Sequence, residues 1–231
     1  MTRVVYRPTR ISSTVAVLAA AASVGFVANA PGQLMAVGTA LGGCVVLALG
    51  AALHRRGFWF FGLPIALVGL GVSLSAIGVG FVMTGSTRIT ERAELVGLLG
   101  IPLVALGVVP LHKRVARRLV SAGLVFLVVG AVLSGMLHGT GLEPLPLLAS
   151  LAAAVVAWDA GEQAINLGEQ LGRSARTWPV ELSHTGGTVV FGGLSIGTAM
   201  TLYGANVTGL PIETLLLLLA AAVVLMMALY K

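Results

Sequence analysis

Long apolar runs separated by short polar connections repeat along the whole chain. Each run is close to the ~20 residues that an α-helix needs to cross a ~30 Å hydrocarbon layer at ~1.5 Å per residue. The pattern therefore predicts an all-α, polytopic transmembrane helical bundle of about eight spans. The predicted spans cover residues 11–28, 34–53, 58–83, 93–111, 119–137, 145–165, 188–203 and 212–230, within one integral membrane domain over residues 1–231.

Positive charges fall in every second connection between these runs. Lys and Arg are retained on the cytoplasmic side of a membrane during insertion, so this alternation predicts the orientation of the bundle. An even number of spans then places both the N-terminus and the C-terminus in the cytoplasm, and residues 166–184 form a cytoplasmic connection. Of the 14 Lys and Arg residues, only Arg88 and Arg92 fall on the outer side in this topology.

The composition agrees with a chain that lies in the lipid bilayer of the cell membrane. Hydrophobic residues make up 57% of the sequence, charged residues make up 10%, and the mean hydropathy is +1.00. Soluble domains carry charge at about a quarter of their positions. The net charge is +6, but the basic residues stand in short clusters at the ends of spans. Such clusters are typical of contacts with lipid headgroups, so no nucleic-acid partner is expected.

The first span has a second interpretation as a cleaved signal peptide. Arg3, Arg7 and Arg10 precede it, and it ends in Ala28-Asn29-Ala30, a small-x-small triplet of the kind that signal peptidase cleaves. Cleavage would leave seven spans. Retention is favoured, because the apolar run exceeds the ~7–15 residues of a signal-peptide core and is long enough to cross the bilayer.

Short outer connections predict that successive helices pack as antiparallel hairpins. Helices in lipid associate through close backbone contact, so small residues four apart indicate packing faces. Three such pairs are Gly38 with Gly42, Gly135 with Gly139, and Gly193 with Gly197. Pro64 and Pro102 lie inside the third and fourth spans, and each is expected to kink its helix because proline lacks a backbone donor.

One segment carries most of the unusual polarity of the chain. Its polar side chains recur at spacings of three and four, which places them on one face of a helix that continues the sixth span. These residues, called the polar stripe, are Asp159, Glu162, Gln163, Asn166, Glu169, Gln170 and Arg173. The polar stripe is the candidate functional site, and His184 at the start of the seventh helix is a candidate partner for it.

The depth of Asp159 separates two interpretations of the polar stripe. If the sixth helix begins at Leu145, Asp159 lies roughly 21 Å along it and still within a ~30 Å core. A carboxylate there costs about 2.5–3.5 kcal/mol, so it would face protein or water and mark an ion or proton site. Alternatively, the helix emerges early and the stripe is a solvated face that docks another protein. The docking interpretation is at least as well supported, because one helix supplies all the polar groups.

The sequence carries no recognisable catalytic or metal-binding pattern. Cys44 is the only cysteine, and no HExxH pair occurs. The four histidines, His54, His112, His138 and His184, all fall at the ends of predicted helices. No enzyme activity, cofactor or metal is therefore expected.

The stretch from Ala157 to Arg173 resembles the distinguishing segment of an uncharacterised family of small polytopic membrane proteins from halophilic archaea. The Arg-rich N-terminal tail before Ser12 to Val15, and the segment Glu181 to His184, are also similar to that family. The resemblance implies no known catalysis. It implies genes near those of MoxR-type AAA ATPases, and hence a role beside machines that assemble or mature envelope complexes.

Two hypotheses of function result from these patterns. The first is a non-enzymatic membrane anchor or assembly component that docks a cytoplasmic or membrane protein partner through residues 159–184. The second is a small-solute or proton-coupled transporter that uses an intramembrane carboxylate at Asp159.

Overall fold

The computed structural model describes residues 8–28, 30–83, 95–109, 113–138, 144–170 and 178–204, and all regular structure in these ranges is α-helical. This confirms the all-α part of the predicted fold class. Residues 1–196 form one compact unit and residues 197–231 a second. The helices are α1 (Arg10–Val27), α2 (Pro31–Arg55), α3 (Trp59–Met83), α4 (Gly100–Gly107), α5 (Lys113–His138), α6 (Pro144–Gln170) and α7 (Trp178–Gly204).

Five helical segments are long and apolar enough to cross a membrane: Arg10–Val27, Pro31–Arg55, Phe60–Met83, Val115–Met136 and Pro144–Glu169. They coincide with the first, second, third, fifth and sixth predicted spans. Phe60, Met136 and Phe191 are 72%, 74% and 73% exposed, as expected for side chains that face lipid tails. The chain is therefore a multi-pass membrane protein.

The remaining predicted spans differ from the described helices. In the fourth, 93–111, the described helix covers only Leu95–Gly107, and a turn at Leu99 divides it. Pro102 explains the turn, since its ring lacks an N–H and clashes with the carbonyl four residues earlier, at Leu98. The seventh, 188–203, lies inside α7, which is not among the five apolar segments. The eighth, 212–230, lies outside the described residues.

The connection predicted at 166–184 is mostly helical. α6 continues to Gln170 and α7 begins at Trp178, so only residues 171–177, which lie outside the described ranges, separate the two helices. The polar stripe therefore lies on α6 itself, and His184 lies in the second turn of α7.

Glycines on α2 and α3 let the two backbones approach closely, but these glycines are not the pairs expected from their spacing. A Cβ at Gly43 would collide with the backbone of Ser73, and a Cβ at Gly50 would collide with that of Ala66. By contrast, a Cβ at Gly38 or Gly42 would meet no described atom within 4 Å. The described helices therefore pack on the face of α2 that carries Gly43 and Gly50, and spacing alone cannot tell which face of α2 they cover.

The short hairpin between α2 and α3 also depends on one glycine. Gly57 has a φ of 97°, a conformation that costs a side-chain-bearing residue energy. Its N–H donates to the carbonyl of His54 at 3.2 Å, so the chain reverses just after Arg55 and Arg56. This turn holds both arginines at the end of the α2–α3 pair.

Neighbouring helices run antiparallel, which collects one set of helix ends at one end of the bundle. Thr9 N–H donates to the carbonyl of Ala164 at 3.3 Å, while Ser23 and Ser150 meet near the opposite ends of α1 and α6. Val120, near the start of α5, lies close to Gly107 at the end of α4 and to Gly161 in the C-terminal half of α6. These helix ends therefore also lie together. Every described Asp, Glu and Arg side chain lies at this end, called the charged end: Arg10, Arg55, Arg56, Arg117, Arg118, Asp159, Glu162, Glu169 and Glu181.

The core between the helices is built mainly from small side chains. Ala16, Ala20, Ala36, Ala40 and Ala154 are all fully buried. Small residues let helices pack closely in lipid, where burial of apolar surface gives no net gain. These small side chains therefore let the helices of the bundle pack closely.

Candidate functional site

The side chains of the polar stripe differ in their exposure along the C-terminal turns of α6. Gln163 is 9% exposed, Asp159 and Glu169 are partly buried, and Asn166 is exposed. Gln170 ends α6, but its side chain and the whole of Arg173 lie outside what the structure describes. The stripe therefore faces neighbouring helices as well as solvent, and it is not one uniformly solvated face.

Asp159 is held by two side chains of α7. His184 Nε2 lies 3.0 Å from Asp159 Oδ2 and 3.1 Å from Oδ1, and Thr188 Oγ1 donates to Oδ2 at 2.7 Å. The Asp159 side chain is 26% exposed and that of His184 is 47% exposed. The structure thus brings the sequence-predicted pair together and adds Thr188, which stands one helical turn after His184 on the same face of α7.

This group of three side chains can hold α6 against α7. The His184 imidazole and the Asp159 carboxylate lie within hydrogen-bond distance of each other, so they join the two helices. Thr188 Oγ1 is also 3.2 Å from the carbonyl of His184, so its single hydroxyl proton can be donated either to that carbonyl or to Asp159 Oδ2. His184 and Thr188 line an open groove with Ser183, Gly187 and Phe191.

Arg117 on α5 contacts three members of the polar stripe. Its guanidinium lies 3.8 Å from Glu162 Oε2 and 3.7 Å from Glu169 Oε2, and Nη2 donates to Asn166 Oδ1 at 2.6 Å. The Arg117 side chain is 46% exposed, so each ion pair contributes at most about 1 kcal/mol. Sequence reasoning assigned Arg117 only to membrane orientation, because nothing in the sequence gives the register of α5 against α6.

Glu181 is the most buried acid at the charged end, and its partner is the start of α1. It is 2% exposed, and Oε2 accepts from Ser12 N–H at 2.8 Å and from Ser12 Oγ at 2.9 Å. Thr9, the N-cap residue of α1, makes no side-chain cap of its own. A carboxylate at a helix N-terminus satisfies an orphan backbone donor and interacts favourably with the helix dipole. Glu181 therefore caps α1 from another helix.

Four further polar atoms near these groups are buried without a hydrogen-bond partner among the described residues. They are Thr9 Oγ1, Gln163 Oε1, Glu169 Oε1 and Thr185 Oγ1. Buried polar atoms are normally paired, and a buried atom without a partner calls for an explanation such as strain or function. All four lie at the charged end, so the desolvation cost of these unpaired atoms falls at one end of the bundle.

Within the described residues, no three His, Cys, Asp or Glu side chains come close enough together to hold a metal ion. The groups that do converge are a carboxylate with an imidazole, a carboxylate with a helix N-terminus, and a guanidinium with two carboxylates and an amide. This arrangement can join helices and present charge. All three groups of side chains lie at the charged end of the bundle.

Comparison with known proteins shows one family and no characterised relative. Residues 64–226 match a family of unknown function, DUF7519, over more than half of the chain. No curated protein and no solved structure matches the chain. The matched region contains α4 to α7 and every member of the polar stripe, whereas α1 and α2 precede it. The chain belongs to the DUF7519 family of unknown function.

Proposed function

We propose that this protein is a non-enzymatic membrane anchor or assembly component that docks a cytoplasmic protein at the charged end of α5 and α6. In the proposed topology the bundle has eight spans, including residues 188–203 and 212–230, and both termini are cytoplasmic. The charged end then faces the cytoplasm of the cell, as the retention of Arg residues favours.

The observation that carries this proposal is the convergence of charged side chains from α5, α6 and α7 at one end of the described helices. A path for a charged solute through the membrane normally has ionisable groups from several helices along its length. Convergence at one helix end instead favours a surface that meets a partner outside the bilayer.

The orientation of the charges indicates the chemistry of that partner. Arg117 and Arg118 are exposed, whereas Glu162 and Glu169 are partly buried beneath Arg117. The outermost groups of this surface are therefore guanidinium groups, which pair well with carboxylates. An acidic surface on a soluble partner is the complement. The resemblance to archaeal proteins encoded near MoxR-type AAA ATPases supports a partner from an assembly machine.

A photoreactive side chain placed at Asn166 tests this docking surface. We expect it to capture one water-soluble acidic protein in cells, and we expect high salt to abolish the capture because exposed charges are screened. The matched control is the same photoreactive side chain at Leu145, near the other end of α6, which should not capture that protein. Capture that survives both high salt and Arg117→Gln with Arg118→Gln would contradict the proposal.

A proton-coupled carrier is the second candidate, and the contact between Asp159 and His184 favours it. Transport sites draw ionisable groups from more than one helix, and this pair joins α6 to α7 at 3.0 Å beside an open groove. Purified protein in liposomes would show proton flux, and Asp159→Asn or His184→Gln would abolish it, while Ser183→Ala on the same groove would not. Flux that survives Asp159→Asn would exclude this role.

A further inference from the structure

A second feature of the charged end lies outside the polar stripe, between α1 and α2. A groove of about 470 Å³ opens there, lined by one side of each helix, by Ala105 of α4 and by the two residues that follow α4. Its volume falls within the range of about 300–1,000 Å³ that small-molecule sites usually have. The groove exists because α1 packs on α6, through Ser23 and Ser150, while α2 packs on α3, through Gly43 and Gly50.

The groove is apolar along its length and basic at one end. Leu18, Leu41, Val45 and Ala48 are among the residues that line the apolar part. On α2 the apolar lining runs from Leu41 to Ala52, which is roughly 16 Å at ~1.5 Å per residue. That length is close to half of a ~30 Å hydrocarbon core, so the groove has the depth of one leaflet.

The basic end of the groove carries three guanidinium groups. Arg10 from α1, and Arg55 and Arg56 from α2, all line it and are all exposed. None of the described residues that line the groove is acidic. Guanidinium groups bind phosphate oxygens through paired hydrogen bonds, and exposed positive groups next to a bilayer attract anionic headgroups.

We propose that this groove binds one anionic phospholipid from the leaflet at the charged end of the bundle. An acyl chain lies along the apolar wall of α1 and α2, and the phosphodiester lies among Arg10, Arg55 and Arg56. Both parts of the molecule match what the groove offers: the length and apolarity of a chain in one leaflet, and a cluster of cations at headgroup depth. The site is independent of the docking surface on α5 and α6.

Retention of lipid by the purified full-length chain tests the proposal. The protein is equilibrated with an equal mixture of phosphatidylcholine and phosphatidylglycerol, and the lipid that stays bound is identified by native mass spectrometry. We expect one phosphatidylglycerol per chain. We expect Arg10→Gln with Arg55→Gln and Arg56→Gln to reduce this retention by about tenfold, a loss consistent with several charge-assisted contacts. Arg118→Gln is the matched control for Arg56→Gln, since Arg118 is an exposed arginine at the same end but outside the groove.

Two further arms separate the bound lipid from other occupants. Ala48→Trp fills the apolar part and leaves all three arginines in place, so it should also abolish retention. Glycerophosphate and inorganic phosphate, which lack the acyl chain, should neither bind nor compete, and binding of either would contradict the proposal.

A phosphatidylglycerol with a photoreactive acyl chain then locates the site. It should crosslink to the peptides that contain Leu18 and Ala48. Equal labelling of the exposed face of α3 would mean only non-specific annular lipid. Crosslinking of the groove to residues 212–230, or to a second copy of the chain, would show that protein and not lipid occupies the groove. Each of these results would overturn the proposal.

Discussion

Ser12 and Glu181 stand 169 positions apart in the chain, yet Ser12 donates both its backbone N–H and its hydroxyl to one carboxylate oxygen of Glu181, at 2.8 and 2.9 Å. This contact fixes the start of α1 to the first turn of α7. It also explains why an acid is buried at 2% exposure in a bundle whose core is mainly alanine and valine.

The first prediction concerns the stability of this contact. Glu181→Ala would leave a buried backbone donor unsatisfied, and we expect it to lower the free energy of unfolding by about 1–3 kcal/mol. Glu181→Gln keeps an acceptor and should cost less. Unfolding in mixed micelles, followed by circular dichroism, measures both changes. Ser183→Ala is the control, because its hydroxyl only donates to the nearby carbonyl of Val180. Equal stability of Glu181→Ala and Ser183→Ala would contradict the account of α1 capping.

The second prediction concerns the close packing of α2 on α3. Gly43→Leu forces a side chain into the backbone of Ser73, and we expect a loss of at least about 1–3 kcal/mol or failure to fold. Gly42→Leu is a matched control at the adjacent residue, where a Cβ meets no described atom within 4 Å. Yield and thermal stability in detergent should therefore separate the two variants sharply. Similar losses in both would show that α3 does not cover Gly43.

The third prediction concerns Arg117 and its two carboxylates. Since the Arg117 side chain is 46% exposed, a double-mutant cycle of Arg117→Ala and Glu169→Ala should give a coupling energy of about 1 kcal/mol or less. Raising the salt concentration should reduce it further. A coupling of about 3 kcal/mol or more would mean instead that the pair is buried in the membrane.

Much of this fold could be predicted from the sequence, because membrane spans are encoded in local hydrophobicity. The helices α1, α2, α3, α5 and α6 were expected from apolar runs long enough for the bilayer, and Pro102 was expected to disturb the fourth span. The helical character of residues 166–170 was expected from the spacing of the polar stripe, whereas the start of the next helix at Trp178 was missed, since residues 178–183 carry no long apolar run.

The contacts of the candidate site were harder to predict. The spacing from Asp159 to Glu169 gives one face of α6, and the position of His184 suggested its approach to that face. The partners Arg117, Thr188 and Ser12 come from other helices, and their register depends on how small residues pack. The contact of α3 with Gly43 and Gly50 of α2 was not predicted for the same reason, since a local motif does not identify the face that a neighbour covers.

Labelling of single cysteines tests the central claim, that the charged helix ends lie together on one side of the membrane. In a Cys44→Ser background, Arg56→Cys, Arg118→Cys and Ser86→Cys are treated with a membrane-impermeant thiol reagent, first in intact cells and then after permeabilisation. The account predicts that the cysteines at 56 and 118 react only after permeabilisation, whereas the cysteine at 86, in the predicted outer connection, reacts in intact cells. Reaction of 56 and 118 from opposite sides of the membrane would contradict it.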